Sequence, residues 1–251
     1  MIKVKDLVKI YTGNLKALDG ISFELSEGEV CGYLGANGAG KSTTIKILLG
    51  MLKADSGSVE VNGMYIFDNS VLIKQQVGYV PESGAIFQSL TPYDFLEFVC
   101  KIYDMEKNIY HKRILEFLEL FDLKNEVNVS MSAFSKGMKQ KVLIISSLIH
   151  NPEIIFWDEP LSGVDFNTNI LIRDIVKELS GKGKIILYST HILDMVDKIC
   201  SRVIILDSGK IVHDSRLDGS GSIQIESIFK KFIDTGDNKA RAAEIYKNIT
   251  D

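Results

Sequence analysis

Apolar residues in the first part of the chain either alternate with polar ones or run together for five positions, and both patterns belong to strands. Ile21, Phe23 and Leu25 alternate strictly after the turn-forming pair Asp19-Gly20, while residues 30–34 form the short apolar run of a strand buried on both faces. Residues 1–34 therefore read as strands, and Val59 and Val61, followed by Asn62-Gly63, predict another hairpin strand. The period changes at Thr91-Pro92-Tyr93-Asp94, which offers a Thr N-cap, a Pro for the first helical position and an Asp for the first turn. Phe95, Phe98, Val99, Ile102 and Tyr103 then mark one helical face, and Tyr110, Ile114, Phe117, Leu118 and Phe121 another, so residues 90–150 read as a helical insertion. Strand-like runs return at 154–157, 185–188 and 203–206, separated by helix-length stretches. That alternation predicts an α/β fold with a parallel sheet and a helical lobe. Gly219-Ser220-Gly221-Ser222 reads as a flexible joint before an amphipathic helix bearing Ile225, Ile228, Phe229 and Phe232, which predicts a helix packed on the body.

Composition narrows the class without naming a function. The 251 residues are 45% hydrophobic and 25% charged, enough to bury a full core. A net charge of -4 gives no general attraction to nucleic acid or anionic lipid, so no nucleic-acid partner is expected. Cys31, Cys100 and Cys200 are widely spaced and odd in number, which argues against a disulfide framework or a zinc site and fits a reducing cytosol. The N-terminal residues alternate too soon for a signal peptide, and no apolar run approaches the roughly 20 residues needed to span a bilayer. A membrane role is expected to come through a partner, without insertion of this chain.

The residues between the strand-like run 30–34 and the next helix carry the clearest chemistry. Gly35, Ala36, Asn37, Gly38, Ala39, Gly40, Lys41 and Ser42 form a glycine-rich turn that can point successive N–H groups at phosphate oxygens. Lys41 adds a charge for the β- and γ-phosphates, Ser42 a hydroxyl for Mg2+, and the helix marked by Ile45, Leu48, Leu49 and Leu52 a positive dipole end. The ligand class this favours is a nucleoside triphosphate. Residues 154–157 would deliver Asp158 and Glu159 to the carboxyl edge of the sheet, where ligands bind in open α/β folds. There Asp158 is suited to holding Mg2+ and Glu159 to polarising the attacking water; two solvated acids at a strand end are the plain alternative. His191, after Tyr188-Ser189-Thr190, falls at the same edge within reach of a γ-phosphate. Ser135, Lys136, Gly137, Met138 and Lys139 open another helix, either as a second anion site or as a solvated basic face.

In this order the motifs closely resemble the nucleotide-binding subunit of an ABC transporter over residues 1–215. Residues 35–42 match its Walker A motif, 154–159 its Walker B motif, 134–138 its signature, 161–165 its D-loop and His191 its switch histidine. The resemblance implies a P-loop NTPase core with a parallel sheet, an N-terminal antiparallel β subdomain and an inserted helical subdomain. The core would comprise residues 1–89 and 151–215, the helical subdomain 90–150 and a C-terminal helical extension 216–251. It also implies that Thr43 joins the phosphate loop, that Tyr11 stacks on adenine, and that Ser135 and Gly137 contact nucleotide. Four departures stand out: Glu82 replaces the Q-loop glutamine, and the signature has Phe134 for Leu, Lys136 for Gly and Met138 for Gln. A carboxylate is a better Mg2+ ligand than an amide, so Glu82 keeps the metal role with Ser42 and Asp158. These variants are similar to those of bacterial exporters for drugs, antimicrobial peptides or polysaccharides. The implied activity is ATP hydrolysis, with ATP and Mg2+ bound between two subunits facing head to tail. Those subunits, identical or not, would drive a separate transmembrane permease from the cytoplasmic face, the permease docking near Glu82 and the helical lobe. A soluble ATP-gated assembly module and a nucleotide sensor with negligible turnover are the competing readings.

Overall fold

A computed structural model describes residues 1–82, 86–190 and 193–217. The chain begins with a long hairpin, β1 (Ile2–Tyr11) and β2 (Leu15–Leu25), and continues through β3 (Val30–Leu34), α1 (Lys41–Leu48), β4 (Ser56–Val61), β5 (Met64–Tyr65), α2 (Ser70–Gln75) and β6 (Val77–Val80). Three helices follow, α3 (Pro92–Ile102), α4 (Lys107–Leu120) and α5 (Lys136–Leu148). The remainder alternates: β7 (Ile154–Asp158), α6 (Phe166–Gly181), β8 (Ile185–Ser189), α7 (Leu193–Ile199), β9 (Arg202–Asp207) and β10 (Lys210–Arg216). One sheet has the order β2-β1-β4-β5 and is antiparallel; the other has the order β10-β9-β3-β8-β7-β6 and is parallel except for its β10 edge. The expected C-terminal helix after residue 217 and the expected site residue His191 lie outside the described residues.

The central strands are apolar throughout because both their faces are covered. Along β7, Ile154 and Phe156 pack with the antiparallel sheet and α1, while Ile155 and Trp157 pack with the helical side. Trp157 is fully buried, and its indole N–H donates to Ser147 Oγ at 3.0 Å, so the largest core side chain leaves no unpaired donor. Thr91 caps α3 as expected, accepting from Asp94 N, with Pro92 in the first turn.

Two local expectations are corrected. Asp19-Gly20 does not turn the chain: it lies inside β2, where Leu7 pairs with Ile21 and Val8 with Asp19, leaving Gly20 as an unpaired bulge at φ 79°. The reversal is made by Gly13 and Asn14, both at positive φ, between Tyr11 and Leu15. The buried face of α3 is Phe95, Leu96 and Cys100, while Phe98 and Ile102 are exposed. Periodicity located that helix and the core-side residues Phe95 and Val99, but its stripe also took in Phe98 and Ile102, because the helix carries apolar residues on its outer face as well. The second stripe holds better: Tyr110, Ile114, Leu118 and Phe121 are buried.

Candidate active site

The phosphate loop is built by the junction of β3 and α1. Gly40 has φ 113° and serves as N-cap of α1, and a Cβ there would come within 2.4 Å of Ala17 O. A Cβ on Gly35 would meet Leu206 O at the same distance, whereas Gly38 has open space and needs glycine for its φ of 84° alone. Tyr33 OH and Thr44 Oγ1, 3.0 Å apart, tie strand to helix, and Thr44 Oγ1 donates to Gly40 O. The loop also anchors elsewhere, Gly209 N donating to Ala39 O. Lys41 is buried, and its Nζ donates to Gly35 O at 2.7 Å and Ala36 O at 3.2 Å. The ammonium thus lies over the loop, next to the free N–H groups of the first turn of α1.

Strand β7 ends beside it. Asp158 pairs with Ser189 in parallel register and is 1% exposed, yet its Oδ1 has no hydrogen-bond partner. A buried carboxylate oxygen without a donor is costly unless a cation faces it. The next residue, Glu159, has φ 51°, a left-handed conformation that costs a non-glycine residue about 1–2 kcal/mol. It is held there by Glu159 N donating to Ser189 O and by Thr190 Oγ1 donating to Glu159 Oε2 at 3.2 Å. The strained turn aims the carboxylate along the cleft instead of continuing the strand. Tyr79 on neighbouring β6 reports the local field: burial first, and then the Asp158 and Glu82 charges, push its phenol up to about 12.

These elements enclose a cleft of about 290 Å3 lined by Tyr11, Asn37, Gly38, Gly40, Lys41, Ser42, Thr43, Glu82, Asp158 and Glu159, together with Leu15, Lys16 and Ala17. Tyr11 stands at its mouth, its hydroxyl 3.4 Å from Thr43 Oγ1. Among the described residues no three Asp, Glu, His or Cys side chains converge to hold a metal by themselves. A cation bound by Asp158, Ser42 and Glu82 would therefore complete its shell with phosphate oxygens or water, which is how Mg2+ is commonly held.

Ser135 and Gly137 lie elsewhere. Ser135 caps α5, its Oγ accepting from Met138 N, and no residue of α5 lines the cleft. The start of α5 is instead locked to the loop that follows β7. Gln140 Nε2 donates to Pro160 O at 3.0 Å, Lys136 Nζ to Ser162 Oγ at 2.8 Å, and Lys141 Nζ pairs with Asp165 Oδ2 at 3.0 Å. A Cβ on Gly137 would meet Gly163 O at 2.4 Å, so glycine lets the two backbones touch. Asp165 caps α6, and the Thr168 N–H and hydroxyl, with Lys141, hold its carboxyl well below the usual range.

A triphosphate-shaped loop, a buried orphan acid and a second acid on a strained turn narrow the field to nucleotide hydrolases, and comparison with known proteins decides among them. The family profile described as ABC transporter matches residues 18–162. The chain belongs to the ABC transporter family. It is an ATP-binding, ATP-hydrolysing subunit of an ABC transporter, and the relatives support that reading over a soluble assembly module. It is 42% identical over 217 residues to the uncharacterized ABC transporter ATP-binding protein MJ1023 of Methanocaldococcus jannaschii, covering 86% of this chain and 78% of that protein. It is 35% identical over 232 residues to the linearmycin resistance ATP-binding protein LnrL of Bacillus subtilis, covering 90% of this chain and 74% of that protein. A solved dimeric post-hydrolysis state of the ATP-binding cassette MJ0796, bound to ADP and Pi, has a TM-score of 0.80 and 27% identity, over 86% of this chain and 99% of that one.

For an ABC transporter subunit, the sequence reading of the cleft omitted three residues. Leu15, Lys16 and Ala17 enter it because β2 returns antiparallel to β1, setting Leu15 opposite Tyr11 and Lys16 opposite Ile10. The available signal was the Gly13-Asn14 pair, which marks the true hairpin turn. Gly35, Ala36 and Ala39 form the back of the loop and do not line the cleft.

Proposed function

We propose that this subunit powers export through a separate membrane permease, working as one of two cassettes that face head to tail around two ATP molecules. The observation that carries the pairing is the separation of the site's parts: the phosphate loop and acids share one cleft, while Ser135 and Gly137 sit on an α5 end that cannot reach it in the same chain. A second copy can supply that end. In this arrangement the N–H groups of the loop and α1, with Lys41, bind the β- and γ-phosphates, and Tyr11 stacks on adenine. Asp158, Ser42 and Glu82 would hold Mg2+, which would neutralise charge on the phosphate oxygens. Glu159 orients and polarises the attacking water, while Ser135 and the backbone at Gly137 close on the γ-phosphate from the other copy.

The permease reading draws on the family and on the surface beside the cleft. Among the described residues no helix is long and apolar enough to cross a membrane. Met51, Val71, Leu72, Phe98 and Ile102 are all exposed, on and near α1, α2 and α3, and apolar exposure on this scale suits a protein partner. The subunit then sits peripherally on the inner face of the cell membrane. The drug, antimicrobial-peptide or polysaccharide export group is supported by the departures at Glu82, Lys136 and Met138, and its drug class by the resistance function in the name of the LnrL relative.

The test is to purify the tagged chain from its native cell in mild detergent and to measure phosphate release from the complex. A polytopic membrane protein in comparable amount, with release abolished by Glu159→Gln and ATP binding retained, is the expected result. Soluble partners alone would overturn the export reading, and undiminished release in Glu159→Gln would overturn the role of that carboxylate.

A further inference from the structure

Glu82 and Lys136 carry opposite charges, and neither charge is matched by an ion pair among the described residues. Glu82 is exposed on the cleft wall just beyond β6 and has no ion pair or hydrogen bond among the described residues. Lys136 is exposed at the first position of α5, and its ammonium meets a neutral partner, Ser162 Oγ, at 2.8 Å. Its stem lies over Gly163, 3.3 Å from where a Cβ of that glycine would stand. The other lysines of this end are engaged differently: Lys141 pairs with Asp165, and Lys139 reaches Gln88 Oε1 at 3.5 Å. No acid occupies the first turn of α5. One end of the subunit is thus basic, while the cleft gathers Glu82, Asp158 and Glu159 around Lys41, drawn back onto its own loop, and Lys16, paired with Asp19 at 3.1 Å.

Because α5 does not line the cleft of its own chain, these two surfaces can meet only between copies. We propose that Lys136 of one copy pairs with Glu82 of the other, and that this ion pair across the nucleotide selects a second copy of this chain as partner. The inference rests on the head-to-tail reading above. A carboxylate has lone pairs for two partners, so Glu82 can face the cation with one oxygen and accept from Lys136 with the other. Ser162 holds the ammonium in place without cancelling its charge, which reduces the ordering cost when the pair forms. Two-fold symmetry repeats the pair at both nucleotides. A cassette with neutral residues at these positions offers neither charge, so this chain's carboxylate and ammonium would stay unpaired against it.

Charge reversal tests this with one pair of variants. In a Glu159→Gln background that blocks hydrolysis, Lys136→Glu and Glu82→Lys are made separately, and mass is followed by light scattering with ATP and Mg2+. Each variant alone places like charges at both contacts, so at ATP concentrations that a prior nucleotide titration shows to be saturating for that variant, its ATP-dependent dimer is expected to weaken roughly tenfold or more. An equimolar mixture forms a heterodimer with one native and one reversed pair, and dimer formation is expected to return. Both side chains are exposed, and circular dichroism confirms that each variant folds. A Glu159→Gln parent that stays monomeric with ATP removes the head-to-tail reading, and the pair with it. A dimeric parent whose reversal variants are unaffected, or whose mixture is no better than its parts, removes the pair alone.

Discussion

At Gly40 two requirements coincide, a backbone at φ 113° and an approach too close for any side chain, since a Cβ would stand 2.4 Å from Ala17 O. The conformation alone costs an alanine about 1–2 kcal/mol, and 1.4 kcal/mol is tenfold in affinity. Gly40→Ala is therefore expected to weaken ATP binding roughly tenfold or more in a fluorescent-nucleotide titration, and Gly38→Ala, which meets open space, to cost less. A single residue also sets part of the pH response. His150 stacks on Tyr103 with ring centroids 3.7 Å apart, and burial lowers its pKa to about 4 from an ordinary 6.5. Between those values the unfolded chain binds a proton that the folded one refuses, so stability falls as the pH drops from about 6.5 to about 4. Replacing His150 by Phe should flatten that limb of a denaturation-versus-pH series, and an unchanged slope would assign it to other groups.

Among the elements, α5 and α6 are joined through one carboxylate. Asp165 caps α6 through Thr168 and pairs with Lys141, whose side chain is only 10% exposed. Asp165→Ala removes the cap, worth about 1 kcal/mol, and strands a buried ammonium, so a loss of roughly 2–4 kcal/mol is expected in urea unfolding. Asp165→Asn keeps a capping acceptor and should lose less; equal losses would show that the cap is not the source. Elements whose pattern had a single physical solution were legible in the sequence. β3, β7 and β8 are apolar because they are covered on both sides, and the Thr91-Pro92 start of α3 satisfies the same N–H groups in any context. Legibility failed where several solutions competed. Asp19-Gly20 and Gly13-Asn14 both permit positive φ, and only strand pairing decides which one turns the chain. The left-handed turn at Glu159 left no sequence signal either, because glutamate has no preference for it; the contacts to Ser189 and Thr190 impose it.

For the molecule as a whole, the cleft joins residues at the carboxyl edge of the parallel sheet to Tyr11 and residues 15–17 of the antiparallel sheet, and leaves Ser135 and Gly137 outside it. Motif order made the parallel-sheet part readable, since the phosphate loop, Glu82 and Asp158-Glu159 each follow or end a strand of that sheet. The separation of the α5 end from the cleft follows from packing against residues 160–165, which no spacing encodes. The head-to-tail arrangement we propose leaves one chain with an incomplete site, which ATP closes with a second copy. Light scattering of the Glu159→Gln protein, with and without ATP and Mg2+, tests this most directly. The account predicts a mass near the 28.0 kDa of one chain without ATP and twice that mass with it; one chain's mass with ATP fully bound would contradict it.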